Sequence, residues 1–280
     1  MFKSLIGSLG QIAAKPQVLL AGIIATVFQT IIFYFSLTPL ANVFDNAVLL
    51  GELPNVSLIE LPFQFYKMYA SDLNVILVFL LLSMIVQFWL AIVVARFAEN
   101  TMHKKQGILE AIGFGIASFW KIIGAIVFLL AAAGIFFALF QIIIWLSDFS
   151  QELSLILMLL LAVFTAYLFV KLLFFLQIMG AKAANARIAL LESWNFSKKR
   201  FWFIVILIVI LSIIAGLIDF AGSLASEPFG DSIIATIVLA FFSILGTTYS
   251  TLVLANYYLN HEVEHGKLFY EGRRRHHESK

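Results

Sequence analysis

The chain has 280 residues, 62% of them hydrophobic and 12% charged, against roughly 45–50% and about 25% in an ordinary soluble domain. No soluble fold of this size can hide that much apolar surface, so most of it must face lipid, and a mean hydropathy of +1.01 agrees. There is no cysteine, which excludes disulfides and thiolate metal sites.

Crossing about 30 Å of hydrocarbon takes about 20 apolar residues. Six runs meet that length: Gln17–Phe35, Leu73–Val94, Ile122–Leu146, Leu153–Phe175, Phe201–Leu217 and Ile233–Leu254. Inside a bilayer every backbone amide must be satisfied within the segment, so all six are expected to be helices. The first run has no small-residue cleavage site after it and reads as a retained span rather than a signal peptide. Between the first two spans, residues 37–72 read as a loop. Its stretch "LIELPFQFYKMY" is too short and too interrupted to span, and is expected to pack on its own bundle. The same loop carries a glycosylation acceptor pattern at Asn55.

Lysine and arginine set the orientation. Segments 37–72, 147–152 and 218–232 fall on one side and hold nine of the 16 acidic residues but only one basic residue, Lys67. The other side keeps the remaining 17 basic residues. Both termini are therefore expected in the cytoplasm.

The chain resembles itself. Sliding it by 82 residues lays "LEAIGFGIASFWKIIGAIVFL" (109–129) over "LESWNFSKKRFWFIVILIVIL" (191–211), matching Glu110 with Glu192, Phe114 with Phe196 and Phe119-Trp120 with Phe201-Trp202. Aliphatic matches are cheap in so apolar a chain, whereas the shared Glu and the Phe-Trp pair are not. "FKSLIGSLGQIAAKPQVLLAG" at the N-terminus is a third, fainter copy. Each copy reads as a short amphipathic lead-in helix, with Ile108, Ile112, Ile116 and Phe119 on one face of the second and Ala184, Ile188 and Leu191 on one face of the third. Such helices can lie in the headgroup plane, apolar side down, or extend the spans into the cytoplasm and pack on each other, and the interfacial lie is the expectation.

The segments "GILEAIGFGIASFWKIIGAI" and "ARIALLESWNFSKKRFWFIVI", with "IAAKPQVLLAG" as a first member, resemble the membrane domain of glycerophosphoryl diester phosphodiesterases and related stand-alone prokaryotic membrane proteins. The resemblance spans most of the chain as a diffuse pattern. In that family the phosphodiesterase chemistry belongs to a separate soluble barrel, so the resemblance implies a membrane fold and no activity.

Three features invite chemistry. "HEVEH" at 261–265 matches H-E-x-x-H, in which His261 and His265 would hold zinc and Glu262 would activate water. The last two dozen residues hold four histidines, so the pattern arises readily by chance. A catalytic site also needs a third ligand and a dry cavity. The tail is therefore read as solvated, with no cofactor. Lys171 is a charge inside the fourth span, a functional marker by default, close enough to the cytoplasmic edge for its stem to snorkel. Basic clusters Lys198-Lys199-Arg200 and Arg273-Arg274-Arg275 sit where anionic headgroups attract such charges.

Transport is the alternative function. Transporters bind substrate at Gly- or Pro-broken helices near the midplane, yet all five prolines (16, 39, 54, 62, 228) lie outside the six runs. Gly134 with Ala138, Ala91 with Ala95 and Ala162 with Ala166 read as packing seams.

The expectation is an all-α integral membrane protein with six transmembrane helices in three pseudo-repeated hairpins. A single membrane domain covers 1–256, with repeat units near 1–98, 103–180 and 183–256, and a basic, histidine-containing tail follows at 257–280. Its expected role is non-enzymatic: contacting lipid, anionic on the cytoplasmic side, or scaffolding a protein partner in a prokaryotic plasma membrane. No nucleic acid is expected to bind.

Overall fold

The computed structural model describes the backbone of residues 1–50, 61–102, 107–147, 150–198, 200–230 and 232–278, without side chains at 44–50, 61–69, 147, 151 and 263–278. Among the described residues the regular structure is helical: α1 Phe2–Ala14, α2 Leu19–Leu50, α3 Leu61–Met102, α4 Ile108–Ala117, α5 Phe119–Ser147, α6 Gln151–Leu172, α7 Phe175–Lys182, α8 Ala186–Lys198, α9 Phe201–Ser226 and α10 Ile233–Glu278. Short 3-10 turns at Pro16–Val18 and Glu227–Phe229 complete it.

Among the described residues six stretches are long and apolar enough to cross a membrane: Pro16–Val43, Ala70–Met102, Phe119–Leu146, Glu152–Lys182, Phe201–Phe229 and Ile233–Glu262. Each contains the run expected from the sequence. They present apolar side chains outward, with Ile135, Phe137, Leu155 and Leu159 all more than half exposed. That is the surface a lipid-facing helix requires.

Several expectations are corrected. Much of the loop 37–72 is helix, since α2 continues to Leu50 and α3 starts at Leu61. Pro39 lies inside α2, where its missing N–H costs one backbone bond without ending the helix. Pro62 falls in the first turn of α3, where no donor is needed. The tail does not begin at 257. Tyr257, Tyr258 and Leu259 are buried in the run of α10, because their large apolar surfaces have helices to pack on.

The fourth span is broken without glycine or proline. α6 ends at Leu172 and α7 begins at Phe175. The Lys171 carbonyl accepts hydrogen bonds from the hydroxyls of Ser193 (2.8 Å) and Ser197 (3.5 Å) on α8. A neighbouring helix thus satisfies an acceptor at the helix end. Of the three small-residue seams, Ala91 and Ala95 are buried, but Gly134, Ala138, Ala162 and Ala166 are exposed.

The chain divides into two compact units. The first comprises Met1–Thr26, Phe88–Lys121 and Phe169–Lys280, the second Val27–Gln87 and Ile122–Leu168. In the first, α10 packs on α9, α1 and α7, and α7 on α8. Its core includes Phe97, Phe174, Leu207, Tyr249, Leu252 and Tyr258. Helices approach closely there: a Cβ on Gly180 would stand 2.5 Å from the Ile92 carbonyl, and one on Gly115 2.4 Å from Val93 Cγ2. In the second unit, Gln29 and Ser83 exchange hydrogen bonds, Gln29 Nε2 donating to the Ser83 carbonyl (3.1 Å) and the Ser83 hydroxyl to Gln29 Oε1 (2.9 Å). That reciprocal pairing links α2 and α3 through two hydrogen bonds.

The lead-in helices α1, α4 and α8 share one arrangement. Each buries two small residues one turn apart: Ser4 and Ser8, Ala111 and Gly115, Ser193 and Ser197. Each exposes a large apolar residue just ahead of the first of them: Phe2 (71%), Leu109 (76%) and Leu191 (59%). The expected faces are therefore redrawn. Ile108 is buried while Ile116 is exposed, because the small residues, not the isoleucine stripe, allow close approach to the bundle.

Candidate functional site

The polar chemistry of the first unit gathers around the two glutamates that the 82-residue shift superposes. Glu192 stands midway along α8, half-buried. Its Oε1 accepts a hydrogen bond from the Tyr258 hydroxyl at 2.5 Å and is ion-paired with Lys182 at the end of α7. Lys182 Nζ also lies 2.6 Å from Glu262 Oε1 on α10. One ammonium is thus shared by two carboxylates, tying α7, α8 and α10 together. The pairs are partly exposed, so each ion pair contributes about 1 kcal/mol or less. The buried Tyr258 hydroxyl is the more demanding member, since an unpaired buried donor costs about 1–3 kcal/mol.

One turn beyond Glu192, Phe196 meets Phe174 (ring centroids 4.9 Å apart), Tyr258 (5.2 Å) and the Arg200 guanidinium (4.8 Å). A cleft of about 230 Å³ opens beside them, lined by Glu192, Asn195, Phe196, Tyr258, His261 and Glu262.

The other glutamate repeats the pattern. Glu110, in the first turn of α4, accepts from Asn100 Nδ2 at 3.1 Å and lies 3.6 Å from Arg96 Nη2. Phe114, one turn on, has the Arg96 guanidinium 4.9 Å and the Lys121 ammonium 5.8 Å from its ring centre. Lys121 donates to the carbonyl of Ala183 at 2.8 Å. In both places the lead-in helix meets a cation on the preceding helix through its glutamate and places a phenylalanine under a cation. At the N-terminus the polar partners are neutral: Asn256 Nδ2 donates to the Ser8 hydroxyl (2.8 Å) and to Gln11 Oε1 (2.9 Å), and Asn260 Nδ2 to the Ser4 hydroxyl (3.2 Å).

The expected site residues fall in different places. His261 does not sit in a solvated tail: Nδ1 is 2.8 Å from the Tyr257 carbonyl and its ring packs on Tyr257. Glu262, the would-be base of the zinc motif, faces Lys182. The side chain of His265 lies outside the described residues. Lys171 is 2% exposed, with its ammonium 5.4 Å from the ring centre of Trp194. It is covered by α8 rather than extended toward water. Lys198 is exposed, whereas Arg200 is half-buried against Phe196. Asn55 and the side chains of Lys199, Arg273, Arg274 and Arg275 lie outside the described residues.

Trp120 and Trp202, the other superposed pair, are 79% and 74% exposed. Each meets the ring before it edge to face, at 5.6 Å from Phe119 and 5.5 Å from Phe201. The shared Glu and Phe-Trp residues stand out in the sequence, whereas nothing local marks Arg96, Lys182 or Tyr258 as their partners.

No family model matches this chain, and neither does a curated protein or a solved structure.

Proposed function

We propose that this is a non-enzymatic membrane protein whose three lead-in helices lie in the cytoplasmic headgroup layer and organise lipid, or a partner, around a six-helix body. The observation that carries this reading is the outward apolar residue that each of those helices presents. They bury small residues, together with Leu5, Ile12 and Ile108, and still leave Phe2, Leu109 and Leu191 outside. Outward apolar residues on a surface helix are favourable only against lipid or another apolar surface. Exposed Trp120 and Trp202 suit the membrane–water boundary, where an apolar ring and a wet N–H are both accommodated. The shared geometry of α4 and α8 supports a repeated unit, with the N-terminal segment as its third member, and the charge asymmetry supports cytoplasmic termini in a prokaryotic plasma membrane. The pairing of Glu262 with Lys182 weighs against metal-assisted hydrolysis.

The test is fluorescence of variants retaining only Trp120 or only Trp202, in bilayers with lipids brominated at different depths. Strongest quenching by shallow bromines is expected. Quenching by aqueous iodide, with none from brominated lipid, would sink the proposal.

Transport has one observation in its favour, the break at Leu172–Phe175 beside buried Lys171. A cysteine at Leu173 that reacts with an impermeant reagent applied from either side would favour that reading.

A further inference from the structure

A second cleft, of about 370 Å³, runs along α1 against α10 and the end of α3. Its wall is built from Lys3, Gly7 and Gln11 on α1 and from Lys15 just past its end. At about 100° per residue the three on α1 occupy the flank between the buried serine face and the exposed stripe of Phe2, Ile6 and Leu9. Opposite stand Thr101 and Asn256.

Beside the amides of Asn256 and Asn260, this cleft presents a set of donors. Gln11 Oε1 is already used by Asn256 Nδ2, which leaves the Gln11 Nε2 amide without a partner among the described residues. The same holds for the Thr101 hydroxyl and for the ammonium groups of Lys3 and Lys15. Among the described residues no carboxylate lines the cleft. Its floor is open as well: a Cβ on Gly7 would meet nothing within 4 Å.

We propose that this cleft is a binding site for a phosphoryl anion, supplied by the headgroup of an anionic phospholipid. Two ammoniums, an amide N–H and a hydroxyl belong to residues lining a space wide enough for a phosphoglycerol group, and a phosphate offers an acceptor to each of them. The adjoining apolar stripe favours a lipid as the source, because acyl chains leaving the headgroup would meet Phe2, Ile6 and Leu9. The site needs α1 near the membrane surface and in that respect rests on the proposed function, but its chemistry can be read separately.

The experiment uses the full chain in phosphatidylcholine nanodiscs doped with phosphatidylglycerol, and native mass spectrometry counts the phosphatidylglycerol retained. Lys3→Gln with Lys15→Gln should weaken retention about tenfold or more, as two headgroup contacts are removed. Gly7→Leu should do the same by filling the cleft, without lowering the unfolding temperature, because its side chain enters open space and leucine favours the helix. A parallel arm titrates inorganic phosphate and glycerol phosphate into protein in neutral detergent. Saturable binding there, lost in the same variants, would uphold the site and assign it a soluble phosphate ester. Retention and titration both unchanged in folded variants would overturn the proposal, whatever the tryptophan depths show.

Discussion

Glu110 and Glu192, 82 residues apart, each engage the cation near the end of the helix before them, Arg96 for the first and Lys182 for the second. Four residues further on, Phe114 and Phe196 each lie under a guanidinium, at 4.9 and 4.8 Å. A shared glutamate and a shared phenylalanine keep the same partners by charge and by ring, although those partners occupy different helices.

Glu192→Leu should therefore destabilise the protein more than Glu110→Leu. The first removes the acceptor of buried Tyr258 and one of the two carboxylates on Lys182, and a loss of about 1–3 kcal/mol is expected. Tyr258→Phe removes the same bond from the other side, so the double variant should lose less than the sum of the two singles. Thermal unfolding in one detergent for all variants measures this, and strict additivity would show that the hydrogen bond contributes nothing.

Gly180→Ala should cost about 1–3 kcal/mol, because its Cβ would press on the Ile92 carbonyl, which has nowhere to move. Gly113→Ala is the control. Its Cβ meets nothing within 4 Å, and better helix propensity should stabilise α4 by up to about 1 kcal/mol. Equal unfolding temperatures for the two variants would contradict the close packing of α7 on α3.

His261→Ala combined with His265→Ala should leave the fold intact, with a small loss from the His261 ring packed on Tyr257 and Phe196. Metal analysis of the purified parent should find no stoichiometric zinc. Zinc retained by the parent and lost by the variant would revive the metalloprotease reading.

The spans were legible because lipid imposes a length and an apolarity that composition alone reveals, and each of the six runs lies inside one of the six membrane-length stretches. The ends of the helices were not. Pro39 looked like a boundary and lies within α2, while the break after Leu172 carries neither glycine nor proline and depends on hydroxyls from Ser193 and Ser197 on another helix. The site was half legible. Glu192 and Phe196 stood out by repetition, whereas Tyr258 and Glu262 lay in what read as a tail. His261 and Lys171 looked like functional groups because a motif and a charge are local signals, and their burial is set by helices distant in sequence.

Since the chain has no cysteine, single cysteines report topology cleanly. Positions 55 and 227 should react with a membrane-impermeant reagent in intact cells, and positions 104, 199 and 274 only after permeabilisation. The opposite pattern would reverse the orientation.

The central claim is that the lead-in helices face lipid, and it is tested most directly by spin labels at residues 2, 109 and 191 in bilayers. Collision with oxygen, which concentrates in lipid, should exceed collision with a water-soluble nickel chelate at all three positions, as their common outward placement requires. Dominance of the nickel chelate at all three would place these helices in water and contradict the account.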